Sequence, residues 1–323
     1  MDTQPSSIDK PIDLSIVIPS YNEEKNIVAL LDRLLPVLDD LGLTSEVIFV
    51  DDGSRDSTYT VLQAAHLKDR RVKAVTLSRN FGKEIALTAG LHFACGRAVI
   101  PMDADLQHPP ETIRALVAGW QAGADVVVAV RRTRDTDSAL RKLASRAFFL
   151  VFNSLSETSI VDGGGDFRLF DRRVVDVLNR LPERTRFLKG LYSWVGFRQV
   201  TVPYDVDARF AGKTTFGFFR LCRYAIDALI SFSILPLRVW SALGATLIGI
   251  AVIYAAIVAV DVILYGRNAP GFASLLIVVV LFGGIQFLTL GIIGEYIGRI
   301  LVEVKGRPIF IVRDTVGIPQ PKN

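Results

Sequence analysis

The sequence predicts an α/β domain on a mostly parallel sheet, extended by two amphipathic helices and a C-terminal two-helix transmembrane hairpin. Three observations carry this. Short apolar runs alternate with helical periodicity over residues 14–130, the pattern of strands joined through helices. Two later stretches, 240–260 and 273–294, contain no charged residue, and each is long enough for the ~20 residues that cross a hydrocarbon core of ~30 Å. The mean hydropathy is +0.36, and its apolar excess lies toward the C-terminus.

The elements follow in order. Residues 14–19 form an apolar run closing on Pro19, the first strand. Helical spacing follows over 23–38, through Ile27, Leu30, Leu31, Leu34 and Leu35. Residues 47–50 are the second strand, ending in Asp51-Asp52-Gly53-Ser54, and Asp56 or Ser57 caps the next helix. The third strand is 72–77 and the third helix 83–95. The fourth strand, 98–102, ends in Asp103-Ala104-Asp105. Pro110 opens the following helix, where its missing N–H costs nothing. Residues 125–130 are the fifth strand. Ligands of such sheets bind beyond the carboxyl ends of the strands. The polar clusters Tyr21-Asn22-Glu23, Asp51-Asp52, Arg79-Asn80 and Asp103-Ala104-Asp105 sit at those ends.

Two amphipathic segments come next. Leu140, Leu143, Ala144, Ala147, Phe148, Val151 and Leu155 share one helical face, and Phe219, Cys222, Ile226, Leu229 and Ile230 share another. Both patterns suit core helices. The basic residues beside them, Arg141, Lys142, Arg146, Arg220 and Arg223, also suit helices lying in a membrane interface. The apolar spans that follow favour the second reading. These spans, at about 238–264 and 273–297, form a hairpin within a module of 236–298, followed by a tail of 299–323. Arg238 precedes the hairpin, and Arg299, Lys305, Arg307 and Arg313 follow it, while the connecting loop carries only Arg267. The positive-inside rule puts both outer ends in the cytoplasm. No secretory signal opens the chain, so the expected location is the inner membrane, multi-pass, with the first domain cytoplasmic. Gly244, Gly249, Gly283, Gly284 and Gly291 permit close helix packing and a homo-oligomer. A net charge of +4 points to no nucleic-acid partner. Cys95 and Cys222 have no metal-ligand spacing and read as reduced thiols.

The chemistry centres on Asp103 and Asp105. Two carboxylates flanking one residue at a strand end can share a hard divalent cation, Mg²⁺ or Mn²⁺, with a diphosphate. Gln107 stands close enough to add to that shell, whereas His108 reads as a surface residue. A carboxylate in Asp51-Asp52 can accept from a base N–H or ribose hydroxyl, or simply close a turn. Tyr21 can stack on a base or pack. Lys83 and Arg79 can meet phosphates or remain solvated charges.

Together these residues resemble family 2 glycosyltransferases of the GT-A fold. The motifs are Val17-Ile-Pro-Ser-Tyr-Asn-Glu-Glu24, Phe49-Val-Asp-Asp-Gly-Ser-Arg-Asp56, Leu77-Ser-Arg-Asn-Phe-Gly-Lys-Glu84 and Met102-Asp-Ala-Asp-Leu-Gln107. They continue through Gly165-Asp-Phe-Arg-Leu169, Phe187-Leu-Lys-Gly190 and Gly294-Glu-Tyr-Ile-Gly-Arg299. The sequence is similar to the branch that holds dolichol-phosphate mannose synthase and, more closely, bactoprenol glucosyltransferase. The resemblance implies that Pro19, Tyr21, Glu23 and Asp52 hold the nucleoside and that Asp105, with Gln107 and Asp103, holds the metal. It puts Asp166 near the acceptor, in the position of a base. Residues 1–135 then form the nucleotide-sugar-binding core and 136–235 the acceptor side. Two departures are Gly163-Gly164-Gly165 before Asp166, and Thr214 and Phe216 in the loop 209–216.

The implied reaction moves one sugar, glucose from UDP-glucose, to undecaprenyl phosphate at the cytoplasmic membrane face. GDP-mannose, UDP-N-acetylhexosamine and UDP-aminoarabinose donors are alternatives, as is a non-catalytic membrane scaffold. Lys83 and Asp103 join the nucleotide-binding set, because a departing diphosphate needs cations. Arg131, Arg209 and Lys213 are the candidates for the lipid phosphate. That phosphate is already ionised, so a general base is less necessary than for a hydroxyl. Asp166 then orients the acceptor or shields the anomeric centre. A single in-line displacement inverts the anomeric configuration.

Overall fold

The computed structural model describes residues 11–132, 164–205 apart from 182 and 185, part of 244–264, and 271–319. The amphipathic segments expected at 140–155 and 218–230, together with Arg209 and Lys213, lie outside the described residues.

Eight strands form one sheet: β1 (Leu14–Ser20), β2 (Ser45–Asp51), β3 (Val72–Leu77), β4 (Ala98–Pro101), β5 (Val126–Arg131), β6 (Gly164–Asp171), β7 (Gln199–Tyr204) and β8 (Val312–Val316). Their spatial order is β7-β5-β6-β4-β1-β2-β3-β8. The four strands β4-β1-β2-β3 are parallel, as expected from their alternation with helices. Val47, Ile48, Phe49 and Val50 of β2 are all fully buried, because both faces of the sheet are covered. Each such side chain contributes about 1.5–3 kcal/mol on burial.

On one face lie α1 (Ile27–Leu41), α2 (Thr58–Lys68) and α4 (Ile113–Gln121), packed on Ile16, Phe49 and Ile100. On the other lie α3 (Lys83–Phe93), α5 (Arg172–Arg180) and α6 (Leu188–Trp194), packed on Val17, Val50 and Val99. Glycine lets α3 come close: a Cβ on Gly90 would sit 2.1 Å from Val17 Cγ1.

Two parts of the sheet differ from a simple alternating pattern. First, β6 inserts between β4 and β5 and runs antiparallel to both. Ala98 pairs with Asp171 and Val99 with Phe170. That register, continued, brings Asp103 opposite Asp166. Second, the C-terminal segment returns to the sheet, with β8 pairing antiparallel to β3.

Between β7 and β8 runs α7 (Phe272–Val304), of 33 residues. At 1.5 Å per residue it is about 50 Å long, so its last turns extend beyond a hydrocarbon core of ~30 Å. The expected span end at 297 falls inside it. Among the described residues it is the one helix long and apolar enough to cross a membrane, over Phe282–Val304, and none of that window is buried. Leu275, Val279, Phe287, Leu290, Ile297 and Ile300 all face outward. The described residues between Gly244 and Leu264 are helical, and Ile250, Ile253, Tyr254 and Ile263 among them are exposed. The rest of the first expected span lies outside the described residues.

Gly90→Ala should lower stability by about 1–3 kcal/mol, the usual cost of an overpacked contact, read as a fall in thermal midpoint. Adding Val17→Ala should recover part of the loss. An unchanged midpoint in the single variant would contradict the close approach of α3.

Candidate active site

The first two loops at the carboxyl edge of the sheet hold each other. Asn22 takes the left-handed conformation, φ 57°, which Asn tolerates better than most residues. Its N–H donates to Ser54 Oγ at 2.9 Å, and its Oδ1 accepts from the N–H of Arg55 at 2.9 Å. The N–H of Glu23 donates to Thr58 Oγ1 at 3.0 Å, and the N–H of Ser57 to a Glu24 carboxylate oxygen at 3.0 Å. Tyr21 stands 40% exposed above this pair of loops, free to face a planar ring. Pro19 is partly buried at the end of β1, and Glu23 accepts from Asn26 Nδ2.

The two adjacent aspartates divide their roles by strand pleat. Asp52 lies on the α3 face, where Oδ1 accepts the N–H of Phe81 at 2.7 Å and Oδ2 that of Gly82 at 2.8 Å. It therefore satisfies backbone donors at the start of α3 and fixes where Lys83 begins. Burial pushes its carboxyl pKa up, against the pull of those two amides. Gly53, φ 69°, makes the approach possible, since a Cβ there would meet Arg79 backbone carbon at 2.6 Å. Asp51 is fully buried on the other face. Its Oδ1 accepts the Ser54 N–H at 2.9 Å, and its Oδ2 has no hydrogen-bond partner among the described residues. A buried carboxylate oxygen without a donor is costly. Sequence reasoning chose Asp52 for the nucleoside; in the structure both its oxygens accept backbone N–H groups at the start of α3.

The loop after β4 is tightly wound. Asp103 donates its N–H to His108 Nδ1 at 3.0 Å, and Gln107 donates its N–H to Asp105 Oδ1 at 3.1 Å. Leu106 is buried at φ 64°, a conformation costing about 1–3 kcal/mol and typical of functional loops. His108 is not a surface residue, as its sequence context suggested. It is 4% exposed and stacks on Phe167 at 4.7 Å. Burial pushes its pKa down, and accepting an amide N–H at Nδ1 leaves the neutral ring with its proton on Nε2. It anchors the loop that carries Asp103 and Asp105.

Lys83 joins the two halves of the site. Its Nζ lies 2.6 Å from Asp103 Oδ1 and 2.9 Å from Asp166 Oδ2. Desolvation lowers its pKa, but the pull of Asp103 and then Asp166 outweighs it, and the net shift is up. Desolvation raises both carboxyls, yet Lys83 brings each below the usual range, with help from Lys189 at Asp166. Both aspartates are therefore ionised near neutral pH. Beside them Arg168, on the same face of β6, donates to Gly165 O through Nε at 3.0 Å and Nη2 at 2.6 Å. Its guanidinium covers the ring of buried Tyr192 at 4.7 Å. Arg131 stands apart from this cluster, exposed at the end of β5, its Nε donating to Tyr204 Oη at 3.3 Å.

Among the described residues no group of three or more His, Cys, Asp and Glu gathers to hold a metal by itself. The donor set still fits Mg²⁺ or Mn²⁺, which are commonly held by one or two carboxylates and completed by substrate phosphates. Asp105 has the right chemistry for that, beside Asp103.

The mostly parallel sheet, with polar loops gathered at its carboxyl edge, has the GT-A fold of a glycosyltransferase. The chain belongs to glycosyl transferase family 2, whose profile matches residues 15–178. It is 47% identical over 307 residues to an uncharacterized glycosyltransferase, sll0501, of Synechocystis, spanning 95% of this chain and 96% of the relative. It is 40% identical over 300 residues to an SfII prophage-derived bactoprenol glucosyl transferase of Shigella flexneri, spanning 93% and 97%. A solved mannosyltransferase, PcManGT of Pyrobaculum calidifontis, aligns over 87% of this chain and 84% of its own, at 19% identity and a TM-score of 0.47, too distant to bear on the site.

Removing the Lys83 charge should reverse the pH dependence of stability. In the wild type both carboxyls sit below their unfolded value of 3.8. They stabilise the fold above that value and lose this as pH falls through their folded values. In Lys83→Met the pair shares a partly buried site without its bridging cation and should bind protons more tightly than the unfolded chain. The variant's thermal midpoint, relative to wild type, should therefore rise from pH 7 to pH 4. A constant difference across that range would contradict the bridge.

Proposed function

We propose that this enzyme transfers a single sugar from a nucleotide-sugar to a polyprenyl phosphate at the cytoplasmic face of a membrane, with UDP-glucose and undecaprenyl phosphate as the substrates. The observation that carries this is the Lys83 bridge, which joins a carboxylate of the donor loop, Asp103, to Asp166. Two further facts support it. Relatives 40% identical over nearly their whole length are named bactoprenol glucosyl transferase. The long α7, predominantly apolar and with none of its Phe282–Val304 stretch buried, suits a lipid environment and a lipid acceptor.

The chemistry follows from the residues. The Asp51-Asp52 loop, with Asp52 at its edge, receives the nucleobase or ribose, and Tyr21 covers the base, with Pro19 and Glu23 lining the adjoining loop. Lys83 turns toward the diphosphate as charge develops there. Asp105, with Asp103 and Gln107, would hold a divalent cation, which would supply positive charge to the leaving diphosphate. An ionised oxygen of the lipid phosphate attacks the anomeric carbon, and the bond to the diphosphate breaks with its electron pair leaving on the nucleotide. The configuration inverts. No proton is removed from the nucleophile, so Asp166 has no need of a base's pKa. Held ionised, it supplies negative charge beside the anomeric carbon as positive charge builds there. Arg131, Arg209 and Lys213 receive the acceptor phosphate. A first span at 238–264 would pair with α7 and keep both outer ends on the catalytic side.

Purified protein should move labelled glucose from UDP-glucose to undecaprenyl phosphate when Mg²⁺ or Mn²⁺ is present. Asp166→Asn and Asp105→Asn should each lower kcat at least about a hundredfold, while Asp52→Asn should raise the donor KM about tenfold. The kcat profile of the wild type should show no ionisation of Asp166 between pH 5 and 9. Full transfer by either catalytic variant would overturn the assignment. Transfer from another nucleotide-sugar in its place would correct only the donor.

A further inference from the structure

The far end of α7 is clasped by the catalytic domain. Glu303 Oε1 accepts the backbone N–H of Arg184 at 2.8 Å. The Arg184 guanidinium folds over the helix end, with Nη1 donating to Glu303 O at 3.1 Å and lying 3.5 Å from its Oε2, and Nε donating to Arg307 O at 2.8 Å. A cation thus covers the Glu303 carbonyl, which also accepts the N–H of Gly306 at 3.3 Å, and the Arg307 carbonyl just past the helix, where the helix dipole favours positive charge. Four residues on, the N–H of Leu188 donates to Glu84 Oε2 at 2.6 Å. Glu84 sits next to Lys83 in the first turn of α3. One short segment therefore grips the apolar helix at one end and the Lys83 helix at the other. The pairing of β8 with β3 gives the helix end a second, independent hold.

We propose that Arg184 and Glu303 are positioning residues. Their clasp fixes the membrane helix relative to Lys83 and Asp166, so that a phosphate confined to the bilayer surface meets the anomeric carbon at the correct height. This rests on the lipid-acceptor reading above. An acceptor free to diffuse has no such requirement, and that difference separates a positioning role from a merely stabilising one. Because β8 holds the helix end independently, loss of the clasp should leave the fold intact.

The test uses full-length protein in phosphatidylethanolamine–phosphatidylglycerol vesicles, with UDP-glucose as donor. One acceptor is undecaprenyl phosphate in the bilayer, and the other a short, water-soluble prenyl phosphate. Arg184→Ala and Glu303→Ala should each lower kcat/KM for the embedded acceptor about tenfold, as expected of a misplacement near 1 Å or less. They should change it less than twofold for the soluble acceptor. Glu303→Gln, which keeps an acceptor for the Arg184 N–H, should restore most of the activity. Equal losses on both acceptors, or none on either, would overturn the proposal while leaving the enzyme's function intact. A wild-type protein that glycosylates neither acceptor would instead overturn the lipid-acceptor reading, and the proposal with it.

Discussion

The site depends on one ammonium group placed between two carboxylates. Asp103 and Asp166 come from strands that the sheet sets side by side, and without a cation their charges would repel in a poorly solvated place. Lys83 removes that conflict. Its position has a cause at each step. The Asp52 carboxylate holds the N–H groups of Phe81 and Gly82 at the start of α3. Gly53 lets the loops after β2 and β3 touch, and Gly90 lets α3 lie close to β1. On the other side the buried His108 ring holds the Asp103 backbone. In the proposed reaction the same bridge is suited to exchange: a diphosphate would offer Lys83 a stronger partner than either carboxylate, and the charge that stabilises the resting site would pass to the leaving group.

The membrane-facing part is tied into the same architecture. The segment after α7 forms a strand of the catalytic sheet, so the helix end and the sheet edge lie on one side of any membrane that α7 crosses. A sugar transferase whose acceptor cannot leave the bilayer needs this continuity, because height above the membrane is part of substrate binding.

Much of this was legible in the sequence, for local reasons. The strands 14–20, 45–51 and 72–77 are mostly apolar, with the continuous run 47–50 in β2, because both faces of the sheet are covered, and α1 between β1 and β2 shows its buried stripe. Asp103, Asp105 and Lys83 stood out because their types suit diphosphate chemistry beyond strand ends, and Asp166 stood out only through the family resemblance. What escaped was non-local. The insertion of β6 between β4 and β5 depends on pairings that no periodicity encodes, and the three glycines before Asp166 suggested flexibility rather than a strand in mid-sheet. Asp51 and Asp52 are neighbours with equal chemistry, separated only by the pleat that turns one to each face. His108 carries no pattern of its own, and its burial comes from Phe167, far along the chain. Arg184 belongs to no motif, and its contacts come from the end of α7, far along the chain.

The central claim is that Lys83 and Asp166 act as one unit. A double-mutant cycle on kcat/KM for sugar transfer measures this directly, using Lys83→Met, Asp166→Asn and the pair together. The account predicts strong non-additivity, with the double variant losing little more than the worse single one. Losses that simply multiply would contradict it.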